Sequence, residues 1–146
     1  MADFKSSVII ERPVKEVFAY MIGMENVSEI MPNVVKMEKI TEGPLQPGTK
    51  FMETRMIRGR EMQNEIELID YHEDHSYATK SEINGLGTIY RYDFQEIEEG
   101  TQVQFEAEVQ TKGLWMKLTK KFIVDMIKKE DGFQLKYLKE EMEGKK

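Results

Sequence analysis

Two positions on one predicted strand carry the residue types best suited to chemistry. Glu53 and Arg55 lie two residues apart in KFMETRMI, and Asn64 lies in the run that follows. Residues i and i+2 of a strand project from the same face, and a tight turn at Arg58-Gly59 pairs Glu53 with Asn64. Charges on the covered face of a sheet are costly unless they pair. Three interpretations stay open: a structural ion pair near the sheet rim, simple exposure if the register slips, or a polar anchor for a ligand's carbonyl or hydroxyl in an apolar cavity.

The turn length decides which face these residues occupy. A two-residue loop pairs Arg55 with Met62 and Phe51 with Ile66, and it places Glu53 on the covered face. A three-residue loop would instead turn inward the alternate set, Met52, Thr54 and Met56. We favour the two-residue loop because it is the commonest hairpin connection.

A second set of candidates comes from the strands that follow. A hairpin at Asn84-Gly85 pairs Tyr77 with Tyr92 and Thr79 with Tyr90. If Glu99-Gly100 is an equally tight turn, the next pairs are Phe94 with Phe105, Tyr92 with Ala107 and Tyr90 with Val109. Both hairpins place the tyrosines on one face, where they either pack in the core or line a ligand pocket.

The segment from Gly113 to Met142 predicts one long helix that covers this face. Its apolar residues follow helical spacing: Trp115, Leu118, Phe122, Met126, Phe133 and Tyr137. Gly132 interrupts the run and indicates a kink or a close packing contact, since glycine weakens a helix.

Composition excludes several function classes. The chain has 146 residues, a net charge of −6, no cysteine and 11 methionines, which indicates one domain over residues 1–146. Acidic balance argues against broad nucleic-acid binding, and the lack of cysteine excludes disulfides and thiolate chemistry. No run is long enough to span a membrane. We expect a cytoplasmic protein without integral membrane association.

The sequence offers little conventional catalytic machinery. His72 and His75 in YHEDH sit in a polar turn without a third ligand, so we expect no metal site there. Nucleophile–base pairs, phosphate-binding glycine loops and dinucleotide fingerprints are also lacking. No cofactor is therefore expected.

The elements follow in the order strand, two short helices, six strands and long helix. The successive hairpins predict an α+β fold with a curved antiparallel sheet of about seven strands. This order resembles the START-like, or SRPBCC, superfamily with the helix-grip fold, which includes the pollen allergens. The resemblance covers almost the whole chain and rests on ERPVKEVFAYM, MPNVV, PGTKFMETRMIRGREMQNEIELIDY, IYRYDF, TQVQFEAEV and GLW. It is greatest to bacterial polyketide cyclase/dehydratase-like proteins, and it implies a deep cavity between the sheet and the last helix.

Three functions are consistent with this architecture. The first is binding of a small hydrophobic ligand, such as a lipid, isoprenoid or polyketide-like molecule, by a monomer or homodimer. The expected ligand-binding residues are Phe51, Asn64, Ile66, Tyr77, Thr79, Tyr90, Tyr92, Phe105, Trp115, Leu118, Phe122 and Met126. The second is a cyclase or dehydratase-type enzyme, in which Glu53 as acid or base, Arg55 as oxyanion stabiliser and a tyrosine would act. The third is an interaction protein resembling the chaperone-activator relatives of the superfamily, for which a large exposed apolar patch would be evidence.

Overall fold

The computed structural model of the protein describes residues 2–23, 26–83, 86–111 and 114–144, and of these the side chains of Ile57, Ile83, Glu130 and residues 114–118 are not described. Within these ranges the chain forms strands and helices in the predicted order. They are β1 (Phe4–Ile10), α1 (Val14–Ile22), α2 (Val27–Ile30), β2 (Val34–Lys39), β3 (Lys50–Ile57), β4 (Arg60–His72), β5 (Ser76–Ile83), β6 (Leu86–Ile97), β7 (Gly100–Thr111), α3 (Leu114–Asp131) and α4 (Gln134–Glu143).

The strands form one curved antiparallel sheet in the order β1-β7-β6-β5-β4-β3-β2. Strands β2 to β7 pair successively, while β1 returns to pair with β7. The predicted seven-stranded α+β architecture is confirmed. Helices cover one face of this sheet: α1 packs against β6 and β7, α3 packs against β7, and α4 packs against β1 and α2.

The predicted register of two hairpins is confirmed. Between β3 and β4, Glu53 pairs with Asn64 and Arg55 pairs with Met62. The two loop residues, Arg58 and Gly59, have φ angles of 51° and 79°, as a primed two-residue turn requires. Between β5 and β6, Tyr77 pairs with Tyr92, as the predicted hairpin requires. The turn residues of that hairpin, Asn84 and Gly85, lie outside the described residues.

The predicted register between β6 and β7 is wrong by two residues. Tyr92 pairs with Phe105, and Phe94 pairs with Val103, because the loop consists of Glu98 and Glu99. Gly100 is already the first residue of β7. A Cβ atom at Gly100, whose φ is +145°, would lie 2.3 Å from the backbone oxygen of Ile10. The glycine therefore permits a close approach of β1. A shift of two residues preserves the face of every side chain, so the inward set is unchanged.

The predicted single helix is in fact two helices. Helix α3 ends at Asp131 and α4 begins at Gln134, with Gly132 and Phe133 between them. A Cβ atom at Gly132 would lie 2.2 Å from the backbone oxygen of Lys128. The glycine is thus a point of close contact that another residue would disturb.

The predicted buried face of the helical segment is wrong at three of its residues, although Tyr137 packs against the core as predicted. Phe122 is 79% exposed, Met126 is 50% exposed and Phe133 is 54% exposed. Ile127 is the buried apolar residue of α3 among the side chains described, and Leu135 and Leu138 are buried in α4. One residue corresponds to about 100° of rotation, so the buried side of α3 is displaced by about one residue from the predicted stripe. The side chains of Trp115 and Leu118 lie outside the described residues.

None of the helices within the described ranges combines the length and the hydropathy of a membrane-spanning segment.

Candidate functional site

A cavity of about 210 Å³ lies between the inner face of the sheet and the helices. Met62 and Met126 line it although they are 47% and 50% exposed, so the cavity reaches the surface beside them. Most of the wall is apolar or aromatic. The apolar and aromatic lining residues are Met21, Val27, Ile30, Met31, Met37, Met62, Ile66, Tyr77, Leu86, Tyr90, Tyr92, Met126 and Ile127.

Tyr77 and Tyr92, which line the cavity, stack on each other, and Tyr92 also stacks on Phe105 in the core. The ring centroids of Tyr77 and Tyr92 are 4.8 Å apart, and those of Tyr92 and Phe105 are 5.1 Å apart, both with nearly parallel planes. These residues are cross-strand neighbours on β5, β6 and β7, so the pairing register brings the rings together. The stack makes this wall flat and rigid.

The polar end of the cavity is a four-residue cluster, consisting of Glu53, Arg55, Tyr90 and Asp131. Arg55 binds both carboxylates through two bonds each. Its Nε and Nη2 atoms donate to Glu53 over 2.9 and 3.2 Å, and its Nη1 and Nη2 atoms donate to Asp131 over 3.0 and 3.1 Å. The Tyr90 hydroxyl also donates to Asp131 Oδ2. The cluster joins the sheet to the end of α3.

Burial strengthens these interactions. The side chains of Glu53 and Asp131 are each 5% exposed and that of Arg55 is 17% exposed. Burial by itself lowers the pKa of Arg55, but the charges of Asp131 and Glu53 outweigh it and raise the pKa above its ordinary value. Arg55 is therefore a permanent cation with its charge already matched by two anions.

The tyrosines act as hydrogen-bond donors. Burial raises the pKa of Tyr90 well above its ordinary value, and the charge of Asp131 raises it further. Burial likewise raises the pKa of Tyr92, whose hydroxyl donates to Gln134 Oε1 over 2.7 Å. Gln134, 1% exposed, donates in turn to the backbone oxygen of Asp131 over 3.0 Å. These bonds fix the junction of α3 and α4 against the sheet.

A second polar group lies on the uncharged part of the wall. Asn64 donates from its side-chain amide to the Ser81 hydroxyl, and Thr79 and Thr88 also line the cavity. Hydroxyl and amide groups both donate and accept hydrogen bonds. This part of the wall can therefore bind polar ligand atoms of either kind.

Most of the residues predicted from the strands line the cavity, and of the two predicted helix residues whose side chains are described, Met126 lines it and Phe122 does not. The cavity brings together the predicted residues Glu53, Arg55, Asn64, Ile66, Tyr77, Thr79, Tyr90, Tyr92 and Met126. Phe51 and Phe105 are buried in the core without lining it, and Phe122 lies on the outer surface. The side chains of Trp115 and Leu118 are outside the described residues.

Asp131 and Gln134, which hold the polar end, were not predicted from the sequence. Both lie at the helix break, and the predicted helix orientation placed them on the side that faces away from the cavity. A usable signal was present, because a buried arginine and glutamate on one strand leave arginine N–H groups that need a further acceptor. Ser81 and Thr88 were also missed, although they pair with each other in the same predicted hairpin as Thr79 and Tyr90.

The histidines take part in local contacts at the surface. His72 Nε2 lies 3.0 Å from Asp70 Oδ1, and the adjacent turn is fixed by Lys15, which donates to Asp74 over 2.9 Å. Among the described residues no three histidine, aspartate or glutamate side chains are grouped so that they could hold a metal ion.

Solved structures with the same fold cover nearly the whole chain. The crystal structure of TTHA0849 from Thermus thermophilus has a TM-score of 0.72 at 14% identity and covers 92% of each chain. That of Ara h 8.0201 has a TM-score of 0.71 at 17% identity and covers 93% of each chain. The di-domain ARO/CYC BexL from the BE-7585A biosynthetic pathway has a TM-score of 0.76 at 18% identity, covering 98% of this chain and 50% of that one. At these identities the similarity shows the fold, and the expected helix-grip fold is confirmed.

No curated protein matches the chain by sequence. A family model, however, matches residues 1–143, which is nearly the full length. This family match and the helix-grip fold together confirm the superfamily expected from the sequence. The chain belongs to the polyketide cyclase / dehydrase and lipid transport family.

Proposed function

We propose that the protein binds a small hydrophobic molecule in the cavity between the sheet and its helices. The observation that carries the proposal is a wall of methionines and stacked tyrosines that ends in one buried polar cluster. Binding pockets for small molecules have this composition, with few polar groups in an apolar wall. Methionine side chains adapt to ligands of different shape, and those at the mouth are suited to admit such a ligand.

Cavity size sets the scale of the ligand. An apolar cavity of about 150 Å³ holds benzene, and this one measures about 210 Å³. A ring with a short substituent, or a chain of about eight carbons, is therefore an appropriate probe. Larger ligands would extend through the mouth beside Met62 and Met126.

The first test is native mass spectrometry of freshly purified protein, followed by organic extraction of any bound molecule. A variant pair locates the site. Thr79→Phe fills the cavity, whereas Lys80→Phe adds the same ring on the opposite, exposed face, since neighbouring strand residues point to opposite faces. We expect an apolar adduct that Thr79→Phe loses and Lys80→Phe retains. Equal retention by both folded variants would refute binding in this cavity.

An enzyme of cyclase or dehydratase type is the second candidate. It is favoured by two carboxylates, on Glu53 and Asp131, that face an apolar cavity and could accept a proton from a bound substrate. Arg55 is a poor oxyanion stabiliser, because both carboxylates already neutralise it. The distinguishing variant is Glu53→Gln, which keeps an acceptor for Arg55 but removes a base. An enzyme would lose turnover by about 10² or more while still binding its substrate.

A further inference from the structure

The polar end of the cavity has an excess of negative charge. Among its described lining residues, Arg55 carries the positive charge, and Glu53 and Asp131 carry two negative charges. The formal charge of the described wall is therefore −1. Because both carboxylates are 5% exposed, solvent screens this charge weakly.

The hydrogen-bonding positions that remain unused in the cluster are also mostly acceptors. An arginine side chain has five N–H donors, and four of those on Arg55 are directed at Glu53 and Asp131. The Tyr90 hydroxyl is directed at Asp131. A carboxylate has about four acceptor positions, of which these bonds use two on Glu53 and three on Asp131. Counting only the bonds between described residues, the cluster retains about three acceptor positions and one N–H donor.

We infer that the ligand's polar end is a hydrogen-bond donor, a hydroxyl or a protonated amine, and that the cavity discriminates against carboxylates and other anions. This inference rests on the proposed ligand binding in this cavity. A donor group next to Glu53 and Asp131 meets vacant acceptors and a favourable charge. A carboxylate at the same place would be repelled by the negative charges of Glu53 and Asp131, and four of the five N–H groups of Arg55 are already bonded to them.

The uncharged part of the wall does not reverse this preference. Asn64, Ser81, Thr79 and Thr88 accept or donate equally well, so they supply hydrogen bonds to any ligand. Discrimination between ligands of equal length therefore arises at the charged cluster.

The test uses three probes with the same eight-carbon chain: octan-1-ol, octylammonium and octanoate. At pH 8 the amine is protonated and the carboxylate is ionised, given their ordinary pKa values. Calorimetric titration gives the affinities, and amide NMR shifts of the lining residues show where each probe binds. We expect the alcohol and the amine to bind at least tenfold more tightly than octanoate.

A charge variant tests the cause of the preference. Asp131→Asn makes the described wall formally neutral, so it should strengthen octanoate binding at least threefold relative to octan-1-ol binding. Asp125→Asn is the matched control, because it removes the same charge from an exposed position on the same helix. If Asp131→Asn does not fold, Glu53→Gln makes the same change in charge from the sheet side.

The possible outcomes separate the inference from the proposed function. Octanoate binding as tightly as octan-1-ol in the wild type would overturn the inference and leave ligand binding in the cavity intact. Equal effects of Asp131→Asn and Asp125→Asn would also overturn it, by showing that the local cluster does not decide the preference. If none of the three probes binds, the proposed function fails, and the inference fails with it.

Discussion

Replacing Arg55 with methionine is the most direct test of the buried cluster. Methionine keeps much of the side-chain length but removes the charge that pairs with Glu53 and Asp131. Two carboxylates that are each 5% exposed would then lack their four arginine hydrogen bonds. Removing one partner of a buried ion pair generally costs about 3–5 kcal/mol. We expect a loss in this range in the free energy of unfolding at pH 7.

Urea unfolding measures this loss, and two further variants identify its cause. Arg60→Met is the control, because it removes an exposed arginine and should change stability by about 0.5 kcal/mol or less. Adding Glu53→Gln and Asp131→Asn to Arg55→Met removes the uncompensated charges as well. The triple variant should recover at least about half of the loss, since neutral amides are far cheaper to bury than carboxylates.

Two results would refute this reasoning. A loss below about 1 kcal/mol in Arg55→Met would show that the carboxylates are well solvated, which contradicts the burial of the cluster. A full loss without recovery in the triple variant would show that arginine packing, rather than charge, stabilises this end of the cavity.

Three other predictions follow from particular contacts. Phe122→Ala should lower the unfolding free energy by about 1 kcal/mol or less, because only about one fifth of the side chain is covered. Ile127→Ala should lower it by about 2–4 kcal/mol, because Ile127 is buried. Equal losses in urea unfolding would contradict the observed buried face of α3. Gly100→Ala should lower the unfolding free energy by more than about 2 kcal/mol, because its Cβ would lie 2.3 Å from a backbone oxygen of β1, at a φ that disfavours side chains. A smaller loss in urea unfolding would show that β1 can move away. Hydrogen bonding to Lys139 and to a backbone N–H lowers the pKa of Glu143, so the stabilisation by its carboxylate should be present above the unfolded pKa of about 4.5 and disappear as pH falls through the lower folded pKa. Glu143→Gln should therefore lower the Tm at pH 7 but not at pH 2. An equal decrease in Tm at both pH values would contradict this assignment.

The sheet was predictable because alternation and turn chemistry determine a strand's face together. Glu53 and Asn64 were placed opposite each other by one turn and a period of two, and both line the cavity. Even the two-residue register error between β6 and β7 left Tyr92 on the correct face. A strand pattern tolerates such an error, since a side chain changes face only when the shift is odd.

The helix was less predictable because its period offers several apolar stripes. Phe122 and Met126 form one stripe, and Ile123 and Ile127 form another about 100° away. Amphipathic spacing cannot decide between them when lysines flank both. Because the helix breaks at Gly132, the buried face of α4 does not follow from the buried face of α3. Asp131, the last residue of α3, was not predicted because the chosen stripe of Phe122 and Met126 faces away from it, although Asp131 completes the polar cluster.

Pairing of the first strand with the last has a consequence for folding kinetics. Phe4 pairs with Ala107, a separation of about 100 residues, whereas the β5–β6 pairs are local. Distant pairs form slowly, because closing a long loop loses chain entropy before any contact compensates. During synthesis, β1 therefore leaves the ribosome long before β7 exists to pair with it. We expect pulse-labelled hydrogen exchange to show β1 amides protected later than those of β5 and β6, and simultaneous protection would mean that the sheet closes in one concerted step.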